Sequence, residues 1–162
     1  MAIGETFAAS LTLFGSTHEN LKPSTIAFVQ ANAAKIAITG RSLNELHETA
    51  QEIAKINPHV EVLPIKADVT NVQESTAAVE NVIAKFGRID VLVNNSGVTE
   101  VWCGLVESDI DEWCHTIDVN LKGPYIMSRL VLPHMLKNDG PKRGVVINVA
   151  SRGGVWLPKV VC

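Results

Sequence analysis

Polar side chains that could bind a ligand follow three short apolar stretches of the chain. Asp68 comes shortly after residues 60–65, the run Asn94-Asn95-Ser96-Gly97 follows residues 89–93, and Ser151 follows residues 144–149. Open α/β sheets bind ligands beyond the carboxyl ends of their parallel strands. The small-residue turn that follows residues 144–149 and contains Ser151 stands at such a strand end. We therefore expect ligand chemistry there.

The spacing of the histidines and cysteines does not predict a metal centre. The five histidines lack metal-ligand spacing, and the three cysteines, Cys103, Cys114 and Cys162, form no CxxC pair. An odd cysteine number also argues against a disulfide framework and predicts a reducing, cytoplasmic location. Cys103 and Cys114 are expected to be small core residues, and the three tryptophans to pack rather than stack on bases.

The elements that position these residues alternate between short β-branched runs and longer stretches of helical period, which is typical of βαβ units. Strands are predicted at 10–14, 35–39, 60–65, 89–93 and 144–149, and helices at 43–56, 72–86 and 109–137. The strands at 89–93 and 144–149 are expected to be buried. Pro64 predicts an edge position for the third strand, because proline cannot donate to a ladder.

Helix boundaries have their own signals. Capping boxes are predicted at Ser42/Glu45 and Thr70/Gln73, a C-terminal glycine at Gly87, and an N-cap at Ser108. A local disturbance is expected at Gly123-Pro124 inside the long helix.

Length and composition limit the number of domains and the classes of partner. The 162 residues carry 14 basic and 17 acidic side chains, a net charge of −3, and 46% are hydrophobic. This length is typical of one domain, so residues 1–162 are expected to be a single unit. The charge argues against a nucleic-acid partner, and the lack of a long apolar run argues against a membrane span.

Four motifs in order give the sequence a resemblance to the short-chain dehydrogenase/reductase family. They are Asp68-Val69, Asn94-Asn95-Ser96-Gly97 with its approach from Phe86 to Asp90, Val119-Asn120, and residues 147–151 ending in Ser151. The resemblance covers about residues 26–154. It implies a Rossmann-like, doubly wound parallel sheet and hydride transfer between a nicotinamide cofactor and an alcohol or carbonyl substrate.

The resemblance also implies residue roles. Ser151 stands at the family's catalytic serine, and Asn120 at the helix asparagine that supports the catalytic lysine through water. For the cofactor, Asp68 and Val69 match the adenine contacts, Asn94 to Gly97 the adenosine ribose, Val119 the neighbouring wall, and Gly15 the glycine-rich loop. An acidic residue, which would select NAD, is absent after residues 35–39, and Arg41 is available for a 2′-phosphate, so NADP is expected rather than NAD.

The chain departs from the family pattern in two places. Glu19 and Leu21 replace two glycines of the phosphate loop, which predicts weak or absent cofactor binding. The family's Tyr-x-x-x-Lys motif does not occur, because Tyr125 is followed four residues later by Arg129. The domain is therefore expected to be partial, incomplete at its C-terminal side.

Three functional hypotheses remain open at this point. The chain is an oxidoreductase by descent that is inactive in isolation, with an unidentified alcohol or carbonyl substrate. Alternatively, it is a non-catalytic remnant that associates with a full-length relative through helix 109–137, a region that also offers a route to homo-oligomers. The third hypothesis is a fragment with no function of its own.

Overall fold

The computed structural model of the protein describes residues 10–15 (backbone only), 25–31, 33–99, 103–104, 106–139 and 143–150. Ordered along the chain, its strands are β1 (Ser10–Gly15), β2 (Lys35–Gly40), β3 (Glu61–Lys66), β4 (Val91–Asn95) and β5 (Val145–Asn148). The helices are α1 (25–30), α2 (Leu43–Ile56), α3 (Val72–Phe86), α4 (Ile110–Ile117) and α5 (Gly123–Met135). A π-helical segment, Asp118–Lys122, joins α4 to α5.

All five strands are parallel and lie in the order β3-β2-β1-β4-β5. β1 is central, and the chain crosses over it between β3 and β4, so the order reverses there. The adjoining carboxyl ends of β1 and β4 are the switch point where such sheets bind ligands. This arrangement confirms the predicted doubly wound α/β fold, and it also confirms β3 as an edge strand.

Two hydrophobic clusters cover opposite faces of the sheet. Side chains alternate along each strand, so Ile36 and Ile38 face one cluster while Ala37 faces the other. The first cluster brings α1 and α2 onto the sheet, and the second brings α3 and α5. Burial on both faces explains why the apolar runs of β2 and β4 lack polar alternation.

Local sequence signals predicted the positions of the helices more accurately than the residues that cap them. α2 begins and ends as predicted, and Ser42 Oγ accepts a long 3.5 Å hydrogen bond from the Glu45 amide. The Thr70/Gln73 capping box was wrong, because Asn71 caps α3 by accepting from the amides of residues 73 and 74. Gly87 ends α3 in the left-handed conformation, with φ +83°, as its residue type predicted.

The long helical region differs in detail from the expected helix 109–137. Asp109, not Ser108, is its N-cap and accepts from the amides of residues 111 and 112. The disturbance lies just before Gly123-Pro124, where the Gly123 amide donates to the Asp118 carbonyl five residues back. Pro124 has no N–H to donate to residue 120, so the regular α pattern is interrupted at this point.

One strand boundary and two burial predictions were wrong. β4 was expected to end at Val93 but continues through Asn95, and β5 is largely exposed rather than buried. β5 lies at the sheet edge, and within the described ranges no helix covers the face formed by Val145, Ile147 and Val149. Cys103 and Cys114 are exposed free thiols instead of core residues. Among the described residues, no helix is both long and apolar enough to cross a membrane.

Candidate cofactor and active site

Gly15 ends β1 at the switch point and lies beside Asn95 of β4 in the sheet register. Its predicted place at the start of the phosphate loop is therefore consistent with the strand arrangement. The remainder of that loop, including Glu19 and Leu21, lies outside the described residues, as does Ser151.

A small crevice gathers most of the predicted cofactor residues beside the switch point. It is lined by residues from the ends of β2, β3 and β4 and from the π segment: Arg41, Ala67, Asp68, Val69, Ser96, Val98 and Val119. Its volume of about 20 Å³ corresponds to roughly one water molecule. The crevice is therefore too small to enclose a purine ring, and Arg41 is exposed beside it.

Asp68 is held rigidly in a turn between β3 and α3. Its Oδ1 accepts from the Thr70 amide and the Thr70 hydroxyl, both at 2.8 Å, and its own amide donates to Glu74 Oε2 at 2.9 Å. Partial burial raises the pKa of Asp68, but the two Thr70 hydrogen bonds and the charges of Arg41 and His115 outweigh it. The pKa of Asp68 therefore lies below its ordinary value, and the carboxylate is an ionised acceptor at neutral pH.

Asn120 links the π segment to the loop that follows β4. Its Nδ2 donates to the Val98 carbonyl at 2.8 Å, and its Oδ1 accepts from the Val98 amide at 2.9 Å. A Cβ placed on Gly97 would lie 3.7 Å from Asn120 Oδ1, which is an ordinary contact. The π segment thus places the Asn120 side chain against the backbone of Val98, which is not paired with a strand. Short π segments of this kind are frequent at functional sites.

A second, much larger cavity of about 740 Å³ opens at the carboxyl ends of β4 and β5. Its walls are mostly small or amide-bearing residues from these strand ends and from the start of α5: Asn94, Asn95, Ser96, Gly97, Val98, Thr99, Asn120, Leu121, Pro124, Asn148, Val149 and Ala150. The cavity therefore adjoins Ala150, the last described residue before Ser151. Ser96 and Val98 line both the crevice and the cavity, so the two spaces are neighbours.

Two buried polar atoms at these walls support a bound ligand with hydroxyl groups. Among the described side chains, Asn94 Oδ1 and Ser96 Oγ are buried without a hydrogen-bond partner. Buried oxygens in this state carry a desolvation cost that a ligand hydroxyl or a water molecule removes. A ribose offers such hydroxyls, and Arg41 offers a cation for phosphate, so the residues present fit a nucleotide cofactor.

Sequence reasoning missed three contributors to this site. Thr70 and Glu74 hold Asp68 in place, although Thr70 was interpreted only as a cap. Gly123 allows the start of α5 to approach Val69, since a Cβ at residue 123 would lie 2.9 Å from Val69 Cγ2. The Gly123 signal was visible as a helix breaker, but its partner is distant in sequence and only the fold reveals it.

Tyr125 and Arg129, which depart from the family's Tyr-x-x-x-Lys motif, both lie on α5. Tyr125 is 68% exposed on α5, and Arg129, four residues on, is also exposed. Neither residue lines the crevice or the large cavity. The structure also forms no cluster of three or more metal-ligating side chains within its described ranges.

Known proteins match the chain in sequence and in structure. The family model of the short chain dehydrogenases matches residues 24–160. The short chain dehydrogenases tazN of Aspergillus terreus and mpl6 of Monascus purpureus are 38% and 41% identical over 130 and 131 residues, 79% of this chain in each case. The 3-ketoacyl-(acyl-carrier-protein) reductase of Brucella melitensis, solved in complex with NADH, superposes with a TM-score of 0.76 at 28% identity over 89% of this chain.

The matched regions are only parts of those proteins. The chain spans 28% of the length of tazN, 44% of mpl6 and 57% of the Brucella melitensis reductase. Together with the sheet order, the match over residues 24–160 establishes that this chain belongs to the short-chain dehydrogenase family.

Proposed function

We propose that the chain carries the adenosine side of an NADP(H) site of an oxidoreductase acting on an alcohol or carbonyl substrate, within one partial domain over residues 1–162. The observation that carries this proposal is the crevice that joins Arg41, Asp68 and Ser96 beside the switch point. In this arrangement Asp68 accepts from the adenine amino group, and Val69 contributes a backbone contact. Asn94 to Gly97 and Val119 line the ribose side.

Preference for NADP over NAD rests on charge. β2 ends at Gly40, and the exposed guanidinium of Arg41 follows at the crevice, with no acidic side chain at that strand end. A 2′-phosphate gains a charge-assisted hydrogen bond from a guanidinium, whereas an acidic residue there would bind the free ribose hydroxyls instead. The structurally similar Brucella melitensis reductase was solved with NADH, so NAD is the competing candidate.

When bound, the cofactor supplies or accepts a hydride. The chain's own residues bind and orient it, and Ser151 would hold the substrate oxygen by a hydrogen bond, with Asn120 bracing the neighbouring strand end. None of the 162 residues forms a Tyr-x-x-x-Lys pair to transfer the proton. We propose that this chain alone therefore does not turn over substrate.

The replacement of two phosphate-loop glycines is expected to weaken nucleotide binding at the same site. By the family resemblance, Glu19 and Leu21 stand at two glycine positions of that loop, where a negative charge disfavours the pyrophosphate and a large side chain disfavours close packing. Repulsion between two charges at about 4 Å costs about 1–4 kcal/mol near a surface. We therefore expect NADPH to bind at least several-fold more weakly than it binds to a loop with glycines.

Fluorescence titration with NADPH tests this assignment. Replacing Glu19 and Leu21 by glycine is expected to strengthen binding, and Asp68→Ala is expected to weaken it in both loop backgrounds. Glu48→Ala, a charge removal on the exposed side of α2, is the matched control. No binding to the glycine-restored chain would refute the cofactor proposal, and turnover of a carbonyl by the unmodified chain would refute the proposed inactivity.

A non-catalytic association is the second candidate function, and an exposed apolar stripe favours it. Seven large apolar side chains recur at helical spacing along α4, the π segment, α5 and its end: Ile110, Trp113, Ile117, Leu121, Tyr125, Leu132 and Leu136. Leu121 is 67% exposed. Such a stripe is a typical interface for another helix, and we propose that it mediates homo-oligomers or pairing with a longer relative.

Sedimentation equilibrium measures this association directly. Leu121→Glu is expected to shift the chain toward monomer, because a buried charge at the interface opposes assembly. Val72→Glu on α3 is the matched control, since Val72 is similarly apolar and 49% exposed but lies off the stripe. Equal association of both variants would contradict the proposed interface.

The two exposed free thiols, Cys103 and Cys114, support a reducing, cytoplasmic location.

A further inference from the structure

A partly buried polar relay connects α5 to the carboxyl ends of β4 and β5. Asn94 Nδ2 donates to Ser128 Oγ at 3.3 Å and to Asn148 Oδ1 at 2.8 Å. Asn94 is only 3% exposed, and Ser128 is half-buried on α5. Asn148 is exposed at the end of β5, so the relay runs from the half-buried Ser128 through the buried Asn94 to the protein surface.

Asn94 also holds β5 through its backbone. Asn94 and Asn148 are register partners on neighbouring strands, and the Val149 amide donates to the Asn94 carbonyl at 2.9 Å. One residue therefore binds the end of β5 by both its side chain and its main chain. These bonds matter because β5 is an edge strand that pairs, within the described residues, only with β4.

The orientation of the Asn94 amide depends on few contacts. Its Oδ1 has no hydrogen-bond partner, so only the two bonds from Nδ2 fix the side chain. Without the Ser128 hydroxyl, the bond to Asn148 would be the single polar contact of the amide. Rotation of the Asn94 side chain would then remove its bond to Asn148 and leave the end of β5 held by main-chain hydrogen bonds alone.

We propose that Ser128 is a positioning residue that, through Asn94, holds the end of β5 at the wall of the large cavity. This end, Asn148 to Ala150, lines the cavity and leads directly to Ser151. The functional meaning of the relay rests on the proposed function, in which Ser151 holds the substrate oxygen. The relay itself is a property of described residues and is testable without any cofactor.

Amide hydrogen exchange at Val149 tests the relay in the full chain. Ser128→Ala is expected to speed exchange at Val149 by about three- to tenfold, the equivalent of one lost hydrogen bond. Exchange at Ile38, in the centre of the sheet, reports any global loss of stability. Ser128→Thr retains the hydroxyl and is expected to restore slow exchange at Val149. Thr116→Ala, which removes a hydroxyl bonded only to its own helix, is the control.

A second variant separates the relay from general loosening of α5. In an Asn148→Ala background the relay is already cut, so Ser128→Ala is expected to add little to Val149 exchange. Equal effects of Ser128→Ala in both backgrounds, or failure of Ser128→Thr to restore protection, would overturn the proposal. Because these measurements use no nucleotide, such a failure leaves the cofactor assignment standing. Failed NADPH binding, conversely, leaves the relay intact.

Discussion

Replacing Gly123 by alanine tests whether the irregular helix is fitted to the cofactor crevice. The added Cβ would lie 2.9 Å from Val69 Cγ2 and 3.3 Å from Val69 Cβ. Carbon atoms in contact are normally about 3.5–4.0 Å apart. Because Cγ2 and Cβ are both too close, the valine must move as a whole, and β-branched side chains have few alternative rotamers.

The expected cost follows from two opposing effects. Overpacking of this kind destabilises proteins by about 1–3 kcal/mol, and alanine regains up to about 1 kcal/mol over glycine in a helix. We therefore expect Gly123→Ala to lower the free energy of unfolding by about 1–2 kcal/mol. Urea denaturation measures this as a lower midpoint with an unchanged slope.

Two further variants test the close packing of residue 123 against Val69. Gly97→Ala, where a Cβ meets only an ordinary 3.7 Å contact, is expected to leave unfolding nearly unchanged. Val69→Ala combined with Gly123→Ala is expected to be more stable than the sum of the single effects, because the smaller side chain makes room. A Gly123→Ala chain as stable as the wild type, or purely additive effects in the double variant, would refute the close packing.

Other predictions concern the polar contacts of the same region. Asn120→Ala is expected to lower the free energy of unfolding by about 1–3 kcal/mol in urea denaturation, because two hydrogen bonds to Val98 are lost; an unchanged midpoint would contradict this. Thr70→Val removes one of the two Thr70 bonds to Asp68 and is expected to raise the pKa of Asp68 toward its ordinary value in a carboxyl NMR titration. The lowered pKa of Asp68 stabilises the fold above the unfolded-state pKa of about 3.9, and this contribution is expected to disappear as pH falls through the folded-state pKa. A wild-type and Thr70→Val pair with identical acid-unfolding curves would contradict that linkage.

Short-range signals made much of the fold predictable from sequence. α2 is bounded by Ser42 and by Asn57-Pro58, and the cap and the helix stop act within a few residues of chain. The edge position of β3 followed from Pro64 alone, because a missing N–H has the same consequence in any sheet. The order of the four motifs was enough to predict the doubly wound parallel sheet through the family resemblance.

Competing local signals explain the errors. Asn71 and Asp109 each stand next to another good N-cap residue, and the local pattern does not decide which one adopts the extended cap conformation. β5 has the apolar composition of a buried strand, yet its burial depends on what packs over it. The contacts of Thr70, Glu74, Ser128 and Gly123 depend on tertiary geometry, so sequence spacing did not reveal them.

The most direct test of the central claim compares 2′,5′-ADP with 5′-AMP by isothermal titration calorimetry. The two ligands differ only in the 2′-phosphate that Arg41 is proposed to bind. One charge-assisted hydrogen bond of about 1.5 kcal/mol predicts about tenfold tighter binding of 2′,5′-ADP. Arg41→Ala is expected to abolish this preference, and Arg129→Ala, which removes an exposed charge outside the crevice, is expected to keep it. Equal affinity of the wild-type chain for both nucleotides would contradict the NADP assignment, and binding of neither would contradict a nucleotide site at the crevice.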